Sequence, residues 1–353
     1  MVNRFFVHGF RNLRNVTLPI QSSLVVFTGA NGQGKTNILE ALSLVACGSS
    51  FRPNAKEFWL PTSASKVDFA EAKIHLSSGL YQRIIIAKTE TNHKAQLKCW
   101  KNDVPVPKQS FIGSIPVVVF EPQDMNLFYG DPSMRRNFMD NILVQISLSY
   151  RQAYARAKKV LANRNHVLKS LNKGEANVDE LCFWDTQYNL LSQTIQSERH
   201  KLAQFLAMHL PLLYNQFSGQ EIKLELHYLA SVFDAKKYTV PEKARGYTLS
   251  GQHRDDVEIT CNNLPWSLIA SRGEMRTTIL AIKSALLSFL SIHCENKPLC
   301  ILDDIFSELD QSRRQMILQW ENQYQLFISS ASDIPTVEHA QIFTVENGEV
   351  YCN

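Results

Sequence analysis

Long apolar runs are missing from this chain. No stretch approaches 18 uncharged apolar residues, so the sequence offers no transmembrane helix. Met1 to Phe10 carries an early Arg4 but no apolar core followed by a small-residue cleavage site, which argues against a signal peptide and for the cytoplasm. Paired cysteines are missing too. The seven thiols, at 47, 99, 182, 261, 294, 300 and 352, include no CxxC pair and are odd in number. That pattern speaks against a disulfide framework or a metal cluster and for buried, reduced thiols that pack as small apolar side chains. Internal repeats, low-complexity segments and base-reading motifs are also absent. What remains is an ordinary globular composition, 44% hydrophobic and 20% charged over 353 residues. That length suffices for two domains, or for one domain with a large insertion.

The net charge of +4 is modest, but it is unevenly spread. From Ser133 to Lys173 nine basic residues face a single acid, Asp140, so this segment alone carries +8. A local excess of one sign is what attracts a polyanion.

The texture along the chain divides it in three. Short strands are expected over Arg4–His8, Val16–Ile20 and Ser23–Thr28, then a helix over Asn37–Ala46. Strands separated by Gly, Asn and Pro turns follow over Val67–Leu76, Gln82–Ala87, Ala95–Trp100 and Val117–Phe120. From Ser133 to about Phe217 the apolar spacing is helical, broken at Asn172-Lys173-Gly174, with a second helix that bends or ends before Pro211. At about 1.5 Å per residue each helix spans a few tens of Å, a compact lobe rather than a long coiled-coil arm. After Gln220, strands Ile222–Leu229, Val257–Thr260, Leu299–Leu302 and Gln325–Ile328 surround an apolar helix over Arg276–Leu290. A hairpin turning at Asn347-Gly348 follows. The expected domains are residues 1–132, an inserted helical lobe 133–219, and residues 220–353.

The strongest chemical signal is Gly29-Ala30-Asn31-Gly32-Gln33-Gly34-Lys35-Thr36, which fits GxxxxGK[ST] between an apolar strand and a helix. Glycines let the backbone N–H groups wrap a phosphate, and the helix N-terminus adds its positive dipole end. Lys35 is placed for the outer phosphates, and the Thr36 hydroxyl for Mg²⁺. A second metal anchor is expected where Leu299-Cys300-Ile301-Leu302 ends in Asp303-Asp304. Asp303 is the metal-side carboxylate, and Asp304 is placed to polarise an attacking water. Two further segments, Ser271-Arg272-Gly273-Glu274 before the apolar helix and Ser307-Glu308-Leu309-Asp310 after the acids, each also read as a helix cap. Taken in order, P-loop, SxG, apolar strand with Asp-Asp, then SxLD, they are specific to ABC-type ATPases. Lys35 and Asp303 lie about 270 residues apart, so the α/β head is built from both ends of the chain with the helical lobe inserted.

Further motifs tighten the resemblance. Phe10-Arg11-Asn12-Leu13, Ser50-Phe51-Arg52, Pro122 with Asp124, Arg135-Arg136 with Phe138 and Asp140, and Gly251 with His253-Arg254-Asp255-Asp256 join those above, in order along nearly the whole chain. Together they resemble the RecF family of bacterial recombination-mediator ATPases, relatives of the SMC-like and ABC-type ATPases that lack long coiled coils. The resemblance implies a homodimer that forms on ATP, with each site completed in trans by Ser271, Arg272 and Gly273 and with Asp310 in a dimer loop. It implies binding to double-stranded DNA at single-strand gaps, work with RecR and RecO to load RecA, support of the SOS response, and slow hydrolysis that releases the protein. Glu274 stands where Gln is common, so that either its acid points away from the phosphate or the trans contact is weaker. Gln252 and Gln123 stand where Pro and Glu are common.

For DNA the candidates are Arg135, Arg136, Arg151, Arg156, Lys158, Lys159, Arg164 and Lys169, which would meet phosphates rather than bases. The alternative for the helix residues is a solvated face, and for Arg135-Arg136 a structural or nucleotide-sensing role. Arg11 and Arg52 are placed near the nucleotide. His253, Arg254 and Asp255 read as part of the active-site surround or, the favoured alternative, as an internal salt-bridge network. A transporter ATPase subunit would show a short spacing between P-loop and acids and no basic inserted lobe. The intact Lys35, Thr36, Asp303 and Asp304 argue against a passive nucleotide-binding interaction protein, an alternative that Glu274 keeps open.

Overall fold

The computed structural model describes residues 1–52, 59–60, 69–88, 95–331 and 339–352. Val67 and Asp68, the start of one expected strand, lie outside them. Alternating apolar and polar positions form the hairpin of β1 (Val2–Phe10) and β2 (Leu13–Pro19). Next come β3 (Leu24–Thr28) and helix α1 (Lys35–Cys47). The strands β4 (Phe69–Leu76), β5 (Tyr81–Lys88), β6 (Ala95–Lys101), β7 (Val104–Val106) and β8 (Val117–Phe120) follow. Helices α2 (Pro132–Ile146), α3 (Leu148–Asn172) and α4 (Val178–Ser218) then run in succession. After them come β9 (Leu224–Leu229), α5 (Ala235–Arg245), β10 (Asp256–Cys261) and β11 (Leu264–Pro265). Helix α6 (Arg272–His293) precedes β12 (Leu299–Asp303), α7 (Gln311–Leu318) and β13 (Gln325–Ser329). β14 (Gln341–Glu346) and β15 (Glu349–Cys352) close the described chain around the two-residue turn Asn347-Gly348. Both turn residues have positive φ, as such hairpins require.

The contacts divide the chain into two units, Met1–Asp124 with Leu287–Asn353, and Met125–Leu286. The first boundary falls eight residues before the expected 132. Residues 220–286, assigned from sequence to the head, cluster with the helical unit. The reason is local: among the described residues β9, β10 and β11 pair only with one another, in the order β11-β10-β9, and β9 packs on α4.

In the first unit two six-stranded sheets enclose α1. One, ordered β2-β1-β4-β5-β6-β7, is antiparallel throughout. The other, ordered β15-β14-β3-β13-β12-β8, is parallel except for its edge strand β15. Helix α1 packs on strands of both sheets, and every residue from Ile38 to Cys47 is buried. Burial on every side is what a position between two sheets demands. The parallel order places the carboxyl ends of β3, β13 and β12 side by side, where ligands bind in open α/β sheets.

The second unit is a helical hairpin capped by its small sheet. Of the two alternatives expected at Pro211, a bend or an end, the end does not occur: α4 continues through it. It runs 41 residues, about 60 Å at 1.5 Å per residue. The missing Pro N–H is tolerated because Leu206, Leu210, Tyr214 and Phe217 bury one continuous face through the break. α6 is long and apolar enough by composition to cross a membrane, but 72% of its apolar window is buried, as in a core helix.

Two buried arginines cross-link this unit. Arg199, 1% exposed, meets both carboxylate oxygens of Asp140 (2.8 and 2.9 Å), Asp255 (2.8 Å) and the Gln252 carbonyl (2.7 Å). Asp255, fully buried, also accepts from Gln196, Tyr228 and the Ser231 amide. Arg164, also 1% exposed, reaches Asp185, Glu242 and Thr248, each at 2.7 Å. His253 sits between Tyr188 (2.6 Å) and the Thr248 carbonyl (3.1 Å), and burial holds its pKa down at about 4. It is therefore neutral near pH 7. The His253-Arg254-Asp255 segment thus belongs to an internal network, as the sequence suggested. Arg199→Met should strand Asp140 and Asp255 without a counter-charge and cost about 3–5 kcal/mol. Urea unfolding followed by circular dichroism checks this, with exposed Arg156→Ala changing stability by about 0.5 kcal/mol or less.

Candidate nucleotide-binding site

The P-loop leaves the end of β3 in a shape only glycine permits. Gly29 has φ 134°, and a Cβ there would sit 2.4 Å from the Val345 carbonyl oxygen on β14. Gly34 has φ 122° and would press on Asn12 at 3.0 Å. The loop is propped from outside by the two hairpin turns. Gly348 donates its amide to the Gln33 carbonyl (3.0 Å), and the Asn12 side chain reaches the same oxygen (3.1 Å). The Asn347 amide meets the Gln33 side chain at 2.6 Å.

Inside the loop, Lys35 is buried and donates to the carbonyls of Gly29 (2.6 Å) and Ala30 (2.9 Å). Burial holds its pKa below the usual lysine range, against the opposing pull of Asp304 and Asp303. Thr36 opens α1 and donates its hydroxyl to Asp303 at 2.7 Å. Ser329, at the end of the intervening β13, donates to the same Asp303 oxygen at 2.8 Å and accepts from the Asp304 amide at 2.9 Å. Desolvation raises the pKa of Asp303, and the bonds from Thr36 and Ser329 work the other way. Asp304 has φ 53°, unusual for a residue with a side chain, and borders the same cavity of about 280 Å³ as Lys35, Thr36 and Ser329. Sequence reasoning missed Ser329, and it missed that Asn12 and the Asn347-Gly348 turn brace the P-loop. Only the hydroxyl at the end of an otherwise apolar strand could have pointed to Ser329.

Arg11 and Arg52 converge on Glu40, one helical turn beyond Thr36. Arg52 borders the cavity, whereas Arg11 does not. Ser271 stands at the start of α6. Its amide is taken by the Glu274 carboxylate (2.7 Å), and its hydroxyl accepts from the Glu274 amide (3.3 Å). This is a reciprocal capping box. The acid at 274 is thus folded back on its own helix end. Asp310 caps α7 through the Arg313 amide (2.9 Å) and pairs with the Arg313 guanidinium.

Comparison with known proteins decides the family. The profile of the RecF/RecN/SMC N terminal domain matches residues 1–349. The DNA replication and repair protein RecF of Halothermothrix orenii is 30% identical, over 98% of this chain and 97% of its own length. The chain belongs to the RecF family. A second RecF, from Geotalea daltonii, is 28% identical with 99% of both chains covered. Among solved structures, the recombination mediator protein RecF with ATP in the RecFOR pathway superposes with a TM-score of 0.89 at 25% identity, covering 100% of this chain and 97% of that one. The Smc head bound to the C-winged helix domain of ScpA shares the fold at TM-score 0.58 and 14% identity, covering 100% of this chain and 96% of that one. The architecture is the α/β head of ABC-type ATPases, with a mainly helical unit interposed in the chain.

In this RecF-family chain the basic residues proposed for DNA separate into two groups. Arg164 is buried and spent on Asp185, Glu242 and Thr248, so the sequence expectation that it faces DNA is corrected. Arg135 holds Asp256 with two bonds (2.6 and 2.9 Å) and the Gly130 carbonyl (2.8 Å), and Arg136 holds the Asp255 carbonyl (2.7 Å), both structural tasks. Arg156, Lys158, Lys159 and Lys169 are exposed along α3, and Arg151 is partly so.

Asp303→Asn removes a buried charge yet keeps an oxygen for Thr36 and Ser329. In the folded state the Asp303 pKa is raised, so the ionised carboxylate costs stability above that range. The variant should therefore melt about 2–4 °C higher at neutral pH without nucleotide, and this advantage should vanish below about pH 4. Differential scanning calorimetry across pH checks both the sign and the window.

Proposed function

We propose that this chain is an ATP-driven DNA-binding switch of replication and recombinational repair. The observation that carries the reading is the junction of P-loop, Thr36, Asp303 and Ser329 at the ends of three adjacent strands, with Asp304 on the same cavity. ATP is the ligand that the geometry and the RecF relationship favour together. The N–H groups of residues 29–36 would cradle its phosphates. Lys35, released from the carbonyls of Gly29 and Ala30, would meet the outer ones.

Among the described residues no cluster of three or more His, Cys, Asp or Glu could hold a metal alone. Hard oxygens from Thr36 and Asp303, completed by nucleotide phosphates, suit Mg²⁺, which rarely takes an all-protein cage. Bound there, Mg²⁺ would neutralise charge on the phosphates. Asp304 would orient and deprotonate water at the cavity, its position fixed by the left-handed backbone and the Ser329 bond to its amide.

Two chains would close on two nucleotides, each site completed by the partner's copy of the Ser271-Arg272-Gly273 segment, with Asp310 in the dimer loop. The exposed bases of α3 would lie on the DNA backbone, giving sequence-independent and salt-sensitive affinity for duplex beside single-strand gaps. Work with RecR and RecO in loading RecA, support of the SOS response, and slow, DNA-stimulated hydrolysis that releases the protein complete the reading. Such a task belongs in the cytoplasm.

Two variants test the switch. Lys35→Ala should lose ATP-driven dimerisation in light scattering. Asp304→Asn should still dimerise, with turnover lowered about 10²-fold or more. A wild type that turns over no faster than Asp304→Asn, with or without gapped DNA, would leave only a passive nucleotide-binding role.

A further inference from the structure

Glu40 is fully buried in the middle of α1, and its surroundings explain why an acid is tolerated there. Arg11 approaches it to 2.6 Å, Ser50 donates to it at 2.7 Å, and the Trp59 indole at 3.3 Å. Arg52 makes the loosest contact of the set, 3.5 Å. Two guanidinium groups therefore share one carboxylate, and the cluster carries one positive charge more than it neutralises.

The two arginines are held differently. Arg11 is fixed by its backbone as well, with φ 52° and an amide bond to the Trp59 carbonyl at 3.0 Å. Arg52 lies on the turn that Ser50 closes, since the Ser50 hydroxyl accepts from the Arg52 amide (3.0 Å) while donating to Glu40. Its guanidinium donates to Asn37 at 2.9 Å and borders the phosphate cavity beside Lys35 and Thr36. Burial lowers its pKa, with Glu40 opposing. Thr36 and Glu40 are four residues apart, so one face of α1 presents the hydroxyl to the cavity and the carboxylate to the arginines.

We propose that Glu40 is a positioning residue of the nucleotide site, holding Arg52 at the cavity edge as a cation that an incoming polyphosphate can take over. Arg11 remains as the resident counter-charge, so the transfer leaves no buried acid unpaired. A strong charge-assisted contact to phosphate replaces a loose 3.5 Å one to Glu40. Ser50 carries the coupling, because it ties the Arg52 turn to the same carboxylate. The proposal rests on the reading of the P-loop cavity as a nucleotide site.

The test is a double-mutant cycle on the affinity of a fluorescent ATP analogue, with full-length protein. Arg52→Ala should weaken binding about tenfold, the scale of one charge-assisted bond. Glu40→Gln should weaken it several-fold in the wild-type background and not at all when Arg52 is already Ala. Ser50→Ala, which leaves the buried ion pair intact, should show the same dependence on Arg52 and covers the case in which Glu40→Gln does not fold. Losses of equal size with and without Arg52 would mean a purely structural carboxylate, and an Arg52→Ala protein that binds like wild type would overturn the proposal outright. Lys35→Ala is the control for the site itself: if it too binds like wild type, the nucleotide reading fails, and the result says nothing against Glu40.

Discussion

One buried carboxylate organises the nucleotide end of the first unit. Asp303 finishes β12 with its oxygen bonded to hydroxyls from the P-loop helix and from β13, 267 and 26 positions away in the chain. Those bonds tie the two distant halves of the sequence at the place where three parallel strands end together. The remainder of the site follows from that junction. Asp304 is turned into the cavity by the next backbone step, and Lys35 lies under its own loop. Desolvation raises the pKa of Asp303, and the hydroxyls of Thr36 and Ser329 offset part of that cost.

The helical unit depends on buried charge in another way. Arg164 and Arg199 each satisfy groups on several elements at once, which fixes α3, α4, α5 and the 248–256 segment against one another within that unit. A basic residue in an amphipathic helix looks the same in sequence whether it faces water, DNA or a buried acid. Its role is settled only when its partners are found.

That limit divides what could be read from what could not. The P-loop, the Asp303-Asp304 strand end and the Asn347-Gly348 turn were legible because each is a local pattern with a local cause: glycine geometry, an apolar run with two acids, two residues of positive φ. The helical texture of α4 to about Phe217 was legible, but not its course through Pro211, where tertiary packing along Leu206 to Phe217 overrides the proline. Arg164 was misplaced because its acids, Asp185 and Glu242, are 21 and 78 positions away. Ser329 and Glu40 are polar residues in largely apolar segments, and only the fold shows their partners, Asp303 for the first and Arg11 and Arg52 for the second. Glu274, an odd acid at an anion-binding helix end by sequence, is explained by its bond to the Ser271 amide.

The central claim is that nucleotide state governs the grip on DNA. Its most direct test is the affinity for gapped duplex DNA with no nucleotide, with ADP and with a non-hydrolysable ATP analogue, each at two salt concentrations. The account predicts tight binding with the ATP analogue alone, weakening steeply as salt rises, because closed dimers meet phosphates through the exposed bases of α3. Equal affinity in all three nucleotide states would contradict it and leave the basic face and the ATP site as unconnected features of one chain.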